Sequence, residues 1–208
     1  DEKARAFRKQ FGARRVMLWA STREGEEAEL LDAFSRRPLT NVLTVIVPRH
    51  PQRFSDVARL LDQRGISYSK RSAGNPVSKS DAYFLGDSVG EMAAYFRAAD
   101  LAFIGGTLLD YGGQNLIEAC AAGTPVLLGP STFNFAWAAE EAISVGAARR
   151  VKNASELVDL VTELLEDEQI REAMGAAGRK FCALHTGAAD RIAKIAMDLL
   201  ENGADARG

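Results

Sequence analysis

Short apolar runs alternate with amphipathic stretches along most of this chain. Val16 to Ala20, Val42 to Val47, Ile66 to Lys70, Ala82 to Leu85, Leu101 to Ile104 and Val126 to Leu128 are each read as strands. Val42 to Val47 is almost continuously apolar, as expected of a strand covered on both faces. Stretches of helical periodicity separate these runs, and that alternation predicts a parallel sheet with crossover helices. One helix ends at about Ser35; another opens at Pro51, a residue suited to the first helical position, and stops at Gly65. A short helix is expected through Arg97, with Ser88 and Glu91 spaced as a capping box. Asn134 to Val145 reads as helix, Ala148 to Val151 as a candidate last strand, and the remainder to about Asn202 as helix. The pattern is that of an α/β protein with a Rossmann-like, doubly wound parallel sheet, in a single domain over residues 1–208.

In open α/β sheets, ligands bind outside the carboxyl ends of the strands. Ser21-Thr22, Arg49-His50, Gly86-Asp87-Ser88, Gly105-Gly106-Thr107 and Gly129-Pro130-Ser131 all follow predicted strands directly, so five polar or glycine-rich loops converge on one rim. The most distinctive is the run from Ile104 to Ala119, where two glycine pairs bracket a loop between an apolar strand and an Ala-rich helix. Backbone without Cβ atoms can approach a ligand closely, and the first N–H groups of a helix favour an anion. A phosphate is therefore expected among Gly105, Gly106, Thr107, Gly112, Gly113, Gln114 and Asn115. Glu118, one turn into the helix, is placed to reach the hydroxyls of a ribose. The loop has neither the G-x-G-x-x-G nor the P-loop spacing, and the same residues also suit a plain strand-to-helix turn.

Composition removes several function classes. The formal net charge is −2, with both signs interleaved, which argues against a nucleic-acid footprint. Two histidines and no cysteine cluster leave no zinc constellation, and no cofactor is expected. Cys120 and Cys182 read as small apolar helix residues rather than a disulfide framework, which suits a reducing compartment. No apolar run approaches the roughly 18 residues of a membrane span. The chain opens at Asp1 with a charged, helix-like lead-in, Glu2 to Gln10, and is expected to be a fragment of something longer.

Six segments carry a resemblance to a known family: Ala20 to Glu27, Val47 to Phe54, Gly86 to Glu91, Phe103 to Thr107, Gly112 to Glu118 and Gly129 to Phe135. Together, and in this order, they resemble the C-terminal half of the Kdo (3-deoxy-D-manno-oct-2-ulosonic acid) transferases of lipopolysaccharide synthesis. The usual Gly-Gly-His-Asn-Pro-Leu-Glu-Pro pattern reads here with Gln114 for His, Leu116 for Pro and Ala119 for the second Pro. Ser131 stands where many members carry His. A neutral amide at 114 can still hydrogen-bond a ligand but does not titrate.

The resemblance implies the C-terminal domain of a GT-B glycosyltransferase, holding the donor CMP-Kdo without a metal or cofactor and transferring with inversion. The N-terminal half, with the lipid A precursor site and the catalytic carboxylate, would lie outside this chain, so the chain alone would be inactive. The parent would act at the cytoplasmic side of the bacterial inner membrane, and 186–202 would form a C-terminal helix packing toward the missing domain. In family terms Arg49 meets the phosphate or the Kdo carboxylate, and His50 is structural. Ser21 and Thr22 offer hydroxyls to the donor or cap the following helix. Gly86, Asp87, Ser88, Val89 and Gly90 form the wall that reads cytosine, or else a plain helix cap. Gly112 to Asn115 surround the departing phosphate, and Asn134 faces the interdomain cleft. Asp110 is read as a solvated loop residue, and Phe103, Phe133, Phe135 and Trp137 as core. The alternatives are a UDP-sugar donor domain of another GT-B enzyme, or a Rossmann-like binding module with an empty rim.

Overall fold

The structure, a computed structural model, describes residues 2–184. Seven strands form one parallel sheet: β1 (Arg15–Thr22), β2 (Val42–Pro48), β3 (Tyr68–Lys70), β4 (Tyr83–Leu85), β5 (Leu101–Ile104), β6 (Val126–Leu128) and β7 (Ala148–Arg150). Their order across the sheet is β3-β4-β2-β1-β5-β6-β7. The candidate last strand is therefore present, paired through Val126 and Ala148. β1 and β5 are direct neighbours, with Trp19 opposite Phe103. The chain leaves β1 toward β2 and later returns to its other side as β5, so the topological switch point lies between these two strands.

The helices are α1 (Glu2–Phe11), α2 (Glu26–Arg36), α3 (Phe54–Gln63), α4 (Met92–Ala98), α5 (Ile117–Ala122), α6 (Ala136–Ser144) and α7 (Ala154–Glu166), and residues 168–184 are helical as well. Successive side chains of a strand face opposite ways, and β1 is apolar both ways. Val16, Leu18 and Ala20 pack with residues of α1, α4, α5 and α6; Met17 and Trp19 pack with those of α2, α3 and α7. A sheet buried on both faces in this way holds the strand ends in fixed positions, and the rim loops inherit that rigidity.

Two expectations need correction. The capping box at Ser88 and Glu91 does not form: α4 starts at Met92 without a side-chain cap, because Glu91 is drawn off by other partners. A side-chain cap does exist at Asn153, whose Oδ1 accepts the Glu156 N–H at 3.0 Å. Last, the helix behind the glycine loop is only six residues long, so its dipole is a smaller contribution than the sequence suggests. The expected helix over 186–202 lies outside the described residues.

Candidate functional site

β1 ends in an irregularity that sets the geometry of the rim. Ser21 has φ 57°, and the register with β2 shifts between Ala20 and Thr22. The twist turns the Thr22 side chain inward, where it is fully buried and donates to Glu27 Oε1 at 2.7 Å. The Thr22 carbonyl accepts the Arg49 N–H at 3.0 Å, which fixes the loop after β2 against β1.

On the other side of β1, Gly105 N–H donates to Ala20 O at 2.7 Å. The two backbones are so close that a Cβ on Gly105 would stand 2.4 Å from Ser21 O. The next N–H groups of the loop do not face an opening. Gly106 and Leu108 donate to the carboxylate of Glu26 at 2.6 and 3.0 Å, and Arg23 N–H donates to it at 2.8 Å. Glu26 is fully buried. Burial pushes its pKa above the usual carboxylate range against the pull of the three N–H groups, and the charge of Glu27 adds to the rise. Glu27, equally buried, takes a forked pair of bonds from Arg53 at 3.2 and 3.1 Å. The first glycine pair is thus filled by the protein's own anion. Thr107 is buried too, its hydroxyl bonded to Ile104 O and to the Gly129 N–H. Thr22, Gly105, Gly106 and Thr107, expected at the ligand, are engaged within the protein beneath the rim.

The second glycine pair is braced from two directions. Gly113 N–H donates to Gly106 O at 2.7 Å, and Gly112 N–H to Ser131 Oγ at 3.1 Å. Asn134 donates its N–H to Gly112 O at 3.0 Å and its side-chain amide to Tyr111 O at 2.9 Å. A Cβ on Gly112 would fall 2.4 Å from the Phe133 ring. Both glycines are buried, and Asn134 latches the loop. Asp110 is exposed, as expected, and accepts from Ser131.

Beyond this framework opens a cleft of about 350 Å³, a size suited to a small ligand. Ser21 and Arg49 line it from β1 and β2; Ser88, Val89 and Gly90 from the loop after β4; Gln114, Asn115 and Glu118 from the glycine loop and α5. Eight of the expected donor residues therefore meet in one place, on both sides of the switch point. Arg49 Nε donates to Gln114 Oε1 at 2.9 Å. Asn115 accepts the Ile117 N–H at 3.0 Å and donates to Glu118 Oε1 at 3.2 Å. The cleft thus carries a guanidinium and a carboxylate, with apolar surface from Pro51, Phe54, Phe96 and Phe135 between polar groups.

The wall after β4 is held from behind. Gly86 is packed so closely that a Cβ would stand 2.8 Å from Val47 Cγ2. Asp87 accepts the Ser72 N–H at 2.8 Å. Glu91 accepts from Arg71 at 2.9 and 3.1 Å and from Ser88 at 2.6 Å, with Lys3 at 3.3 Å. The Arg71 guanidinium leads the effects that hold the Glu91 carboxyl down to about 2.

Nothing in the sequence says that Glu26 and Glu27 are buried, or that Arg53 and Arg71 pair with buried carboxylates. An acidic pair at a helix start reads as a dipole complement, and nothing local says that it is buried. Phe133 and Trp137 correct the expectation of core packing, since they are 64% and 62% exposed; Phe103 is core. Cys120 and Cys182 are both buried, and burial together with its neighbour pushes the Cys120 thiol up to about 12. Among the described residues, no helix is long and apolar enough to cross a membrane.

Comparisons with known proteins agree on the family. The 3-deoxy-D-manno-octulosonic acid transferase of Bordetella pertussis is 45% identical over 91% of this chain, and that of Haemophilus influenzae 33% identical over 90%. The chain spans 45% of the length of each, about half of these relatives. Among solved structures, the C-terminal CMP-Kdo binding domain of WaaA from Acinetobacter baumannii matches with a TM-score of 0.81 and 28% identity, over 86% of this chain and 96% of that one. The fold is therefore the GT-B-like α/β architecture of that domain. Residues 70–181 match the family model described as glycosyl transferases group 1. The chain belongs to the group 1 glycosyl transferases, and among them it is homologous to the Kdo transferases.

Proposed function

We propose that this chain is the donor-binding half of a Kdo transferase and that its cleft holds CMP-Kdo. The observation that carries this reading is the meeting of the Arg49–Gln114 and Asn115–Glu118 pairs in one cleft at the switch point. A nucleotide sugar presents the complementary groups: a phosphate for the guanidinium, and vicinal ribose hydroxyls for the carboxylate. The backbone of Ser88 to Gly90 faces the base. Because Glu26 fills the first glycine pair and the N–H groups of the second pair are bonded within the protein, the phosphate is assigned to Arg49 and Asn115. A planar, permanently charged fork suits a phosphate or a sugar carboxylate.

In the transfer, the bond between the Kdo anomeric carbon and the phosphate oxygen breaks, and CMP leaves as an anion. Arg49 stabilises the charge that develops there. Glu118 holds the ribose, a charge-assisted bond of roughly 1.5–3 kcal/mol or about ten- to a hundredfold in affinity. The reading includes inversion without a metal or cofactor. A preceding half would supply the general base and the lipid A precursor site, so this chain alone turns nothing over. Membrane association belongs to the longer protein, at the cytoplasmic side of the bacterial inner membrane. Exposed Val89 and Phe133 beside the cleft suit a surface that the other half covers.

Isothermal titration of the purified chain tests the reading. Saturable binding of CMP, tighter than UMP or UDP, is expected. A folded sample that prefers UDP places the chain with UDP-sugar enzymes, and one that binds no nucleotide contradicts the proposal.

A further inference from the structure

Gln114 lies in the cleft, yet its carboxamide oxygen is already engaged: it accepts Arg49 Nε at 2.9 Å. That bond leaves the two terminal nitrogens of Arg49 without a protein partner among the described residues. The guanidinium is on an exposed residue at the mouth of the cleft, and a long side chain there would otherwise sample many rotamers. Gln114 itself is well supported. The adjoining Gly113 N–H donates to Gly106 O at 2.7 Å. Gly106 in turn donates to buried Glu26 at 2.6 Å. The backbone beside Gln114 is therefore tied through Gly106 to the fully buried Glu26 carboxylate.

The chemistry of the amide matters in this position. A carboxylate there would orient Arg49 but cancel much of its charge, whereas an amide oxygen orients it and leaves the charge intact. We infer that Gln114 is a positioning residue: it holds Arg49 by Nε so that both terminal nitrogens meet an oxyanion end-on, and thereby sets the preference of the cleft for phosphorylated over neutral ligands. The inference rests on the donor-site reading above and adds to it that Gln114 acts through Arg49.

The test compares CMP and cytidine by titration on the wild-type chain, Gln114→Ala, Gln114→Glu, Arg49→Ala and the Arg49→Ala/Gln114→Ala double variant, each checked for folding by thermal melting. Gln114→Ala should weaken CMP about three- to tenfold, the range for freeing one long side chain, and leave cytidine nearly unchanged. Gln114→Glu, of the same size, should weaken CMP by more, about ten- to a hundredfold. In the Arg49→Ala background the Gln114→Ala effect should vanish, because the two substitutions remove one unit. If Gln114→Ala weakens CMP equally with and without Arg49, Gln114 touches the ligand itself and the inference is overturned. It is overturned equally if CMP and cytidine weaken together in both Gln114 variants. A folded wild-type chain that binds neither ligand instead removes the donor-site reading on which the inference stands.

Discussion

The carboxylate of Glu26 accepts the N–H of Gly106 at 2.6 Å, fully shut off from solvent. A loop that in outline suits a phosphate is therefore closed by an internal carboxylate, which is why the proposed phosphate position is at Arg49. Glu26 is thus a brace between α2 and the loop after β5.

Removing that brace should be costly. Glu26→Ala strips an acceptor from three backbone N–H groups, two of them on buried residues, and should lower the unfolding free energy by about 3 kcal/mol. Urea unfolding monitors this through Trp19, which is buried in the core. A loss below about 1 kcal/mol would show that water or a local shift replaces the carboxylate.

Two glycines separate steric from conformational cost. A Cβ on Gly105 would lie 2.4 Å from Ser21 O, against backbone that cannot swing away, whereas one on Gly146 meets nothing within 4 Å and only has to tolerate φ 80°. Gly146→Ala should cost about 1 kcal/mol. Gly105→Ala should cost more than about 3 kcal/mol or prevent folding. Equal melting shifts for the two would contradict the close approach of β1 and β5.

Acid should weaken the wall of the cleft through Glu91. Its carboxyl is held down from the usual 4.5 to about 2, led by Arg71. The folded chain binds that proton less tightly than the unfolded chain, so the stabilisation is complete above about pH 4.5 and lost as pH falls through about 2. With Arg71 and Lys3 partly exposed and the pair therefore screened, a loss of about 2 kcal/mol is expected. Glu91→Gln lacks this loss. Glu26 acts in the opposite sense, its raised pKa favouring the folded chain in acid, but it is common to both proteins. Denaturation curves of wild type and variant should therefore converge between about pH 5 and pH 2; parallel curves would refute the assignment.

Glu118→Ala should separate binding from stability. The residue is exposed and the one hydrogen bond of its carboxylate among the described residues, from Asn115, is 3.2 Å long. Unfolding should change by no more than about 0.5 kcal/mol, while CMP affinity falls about ten- to a hundredfold. Unchanged affinity would move the ribose elsewhere in the cleft.

The parts of this architecture legible in the sequence are those written in local pattern. Apolar runs announce strands because a sheet covered on both faces needs them, and the loops after those runs name the rim. Arg49, Gln114, Asn115 and Glu118 were reachable that way. What escaped depends on long-range burial. Glu26 and Thr22 are polar residues in a polar stretch, and only the bulge at Ser21 and the close approach of Gly105 send them inside. The same blindness applies to Phe133 and Trp137: an aromatic reads as core unless the fold is known to leave that face open. The six-residue length of α5 was hidden at its start: Gly123, in the left-handed conformation, marks the end, but nothing local says that the loop runs on to Leu116 before the helix begins at Ile117.

A crystal structure of the chain with bound CMP decides whether this cleft is the nucleotide end of a donor site. The phosphate is expected at the terminal nitrogens of Arg49, the ribose hydroxyls on the Glu118 carboxylate, and the Glu26 bonds to Gly106 and Leu108 unchanged. CMP seated on the Gly106 and Leu108 N–H groups with Glu26 displaced, or bound away from Arg49 altogether, would contradict that reading.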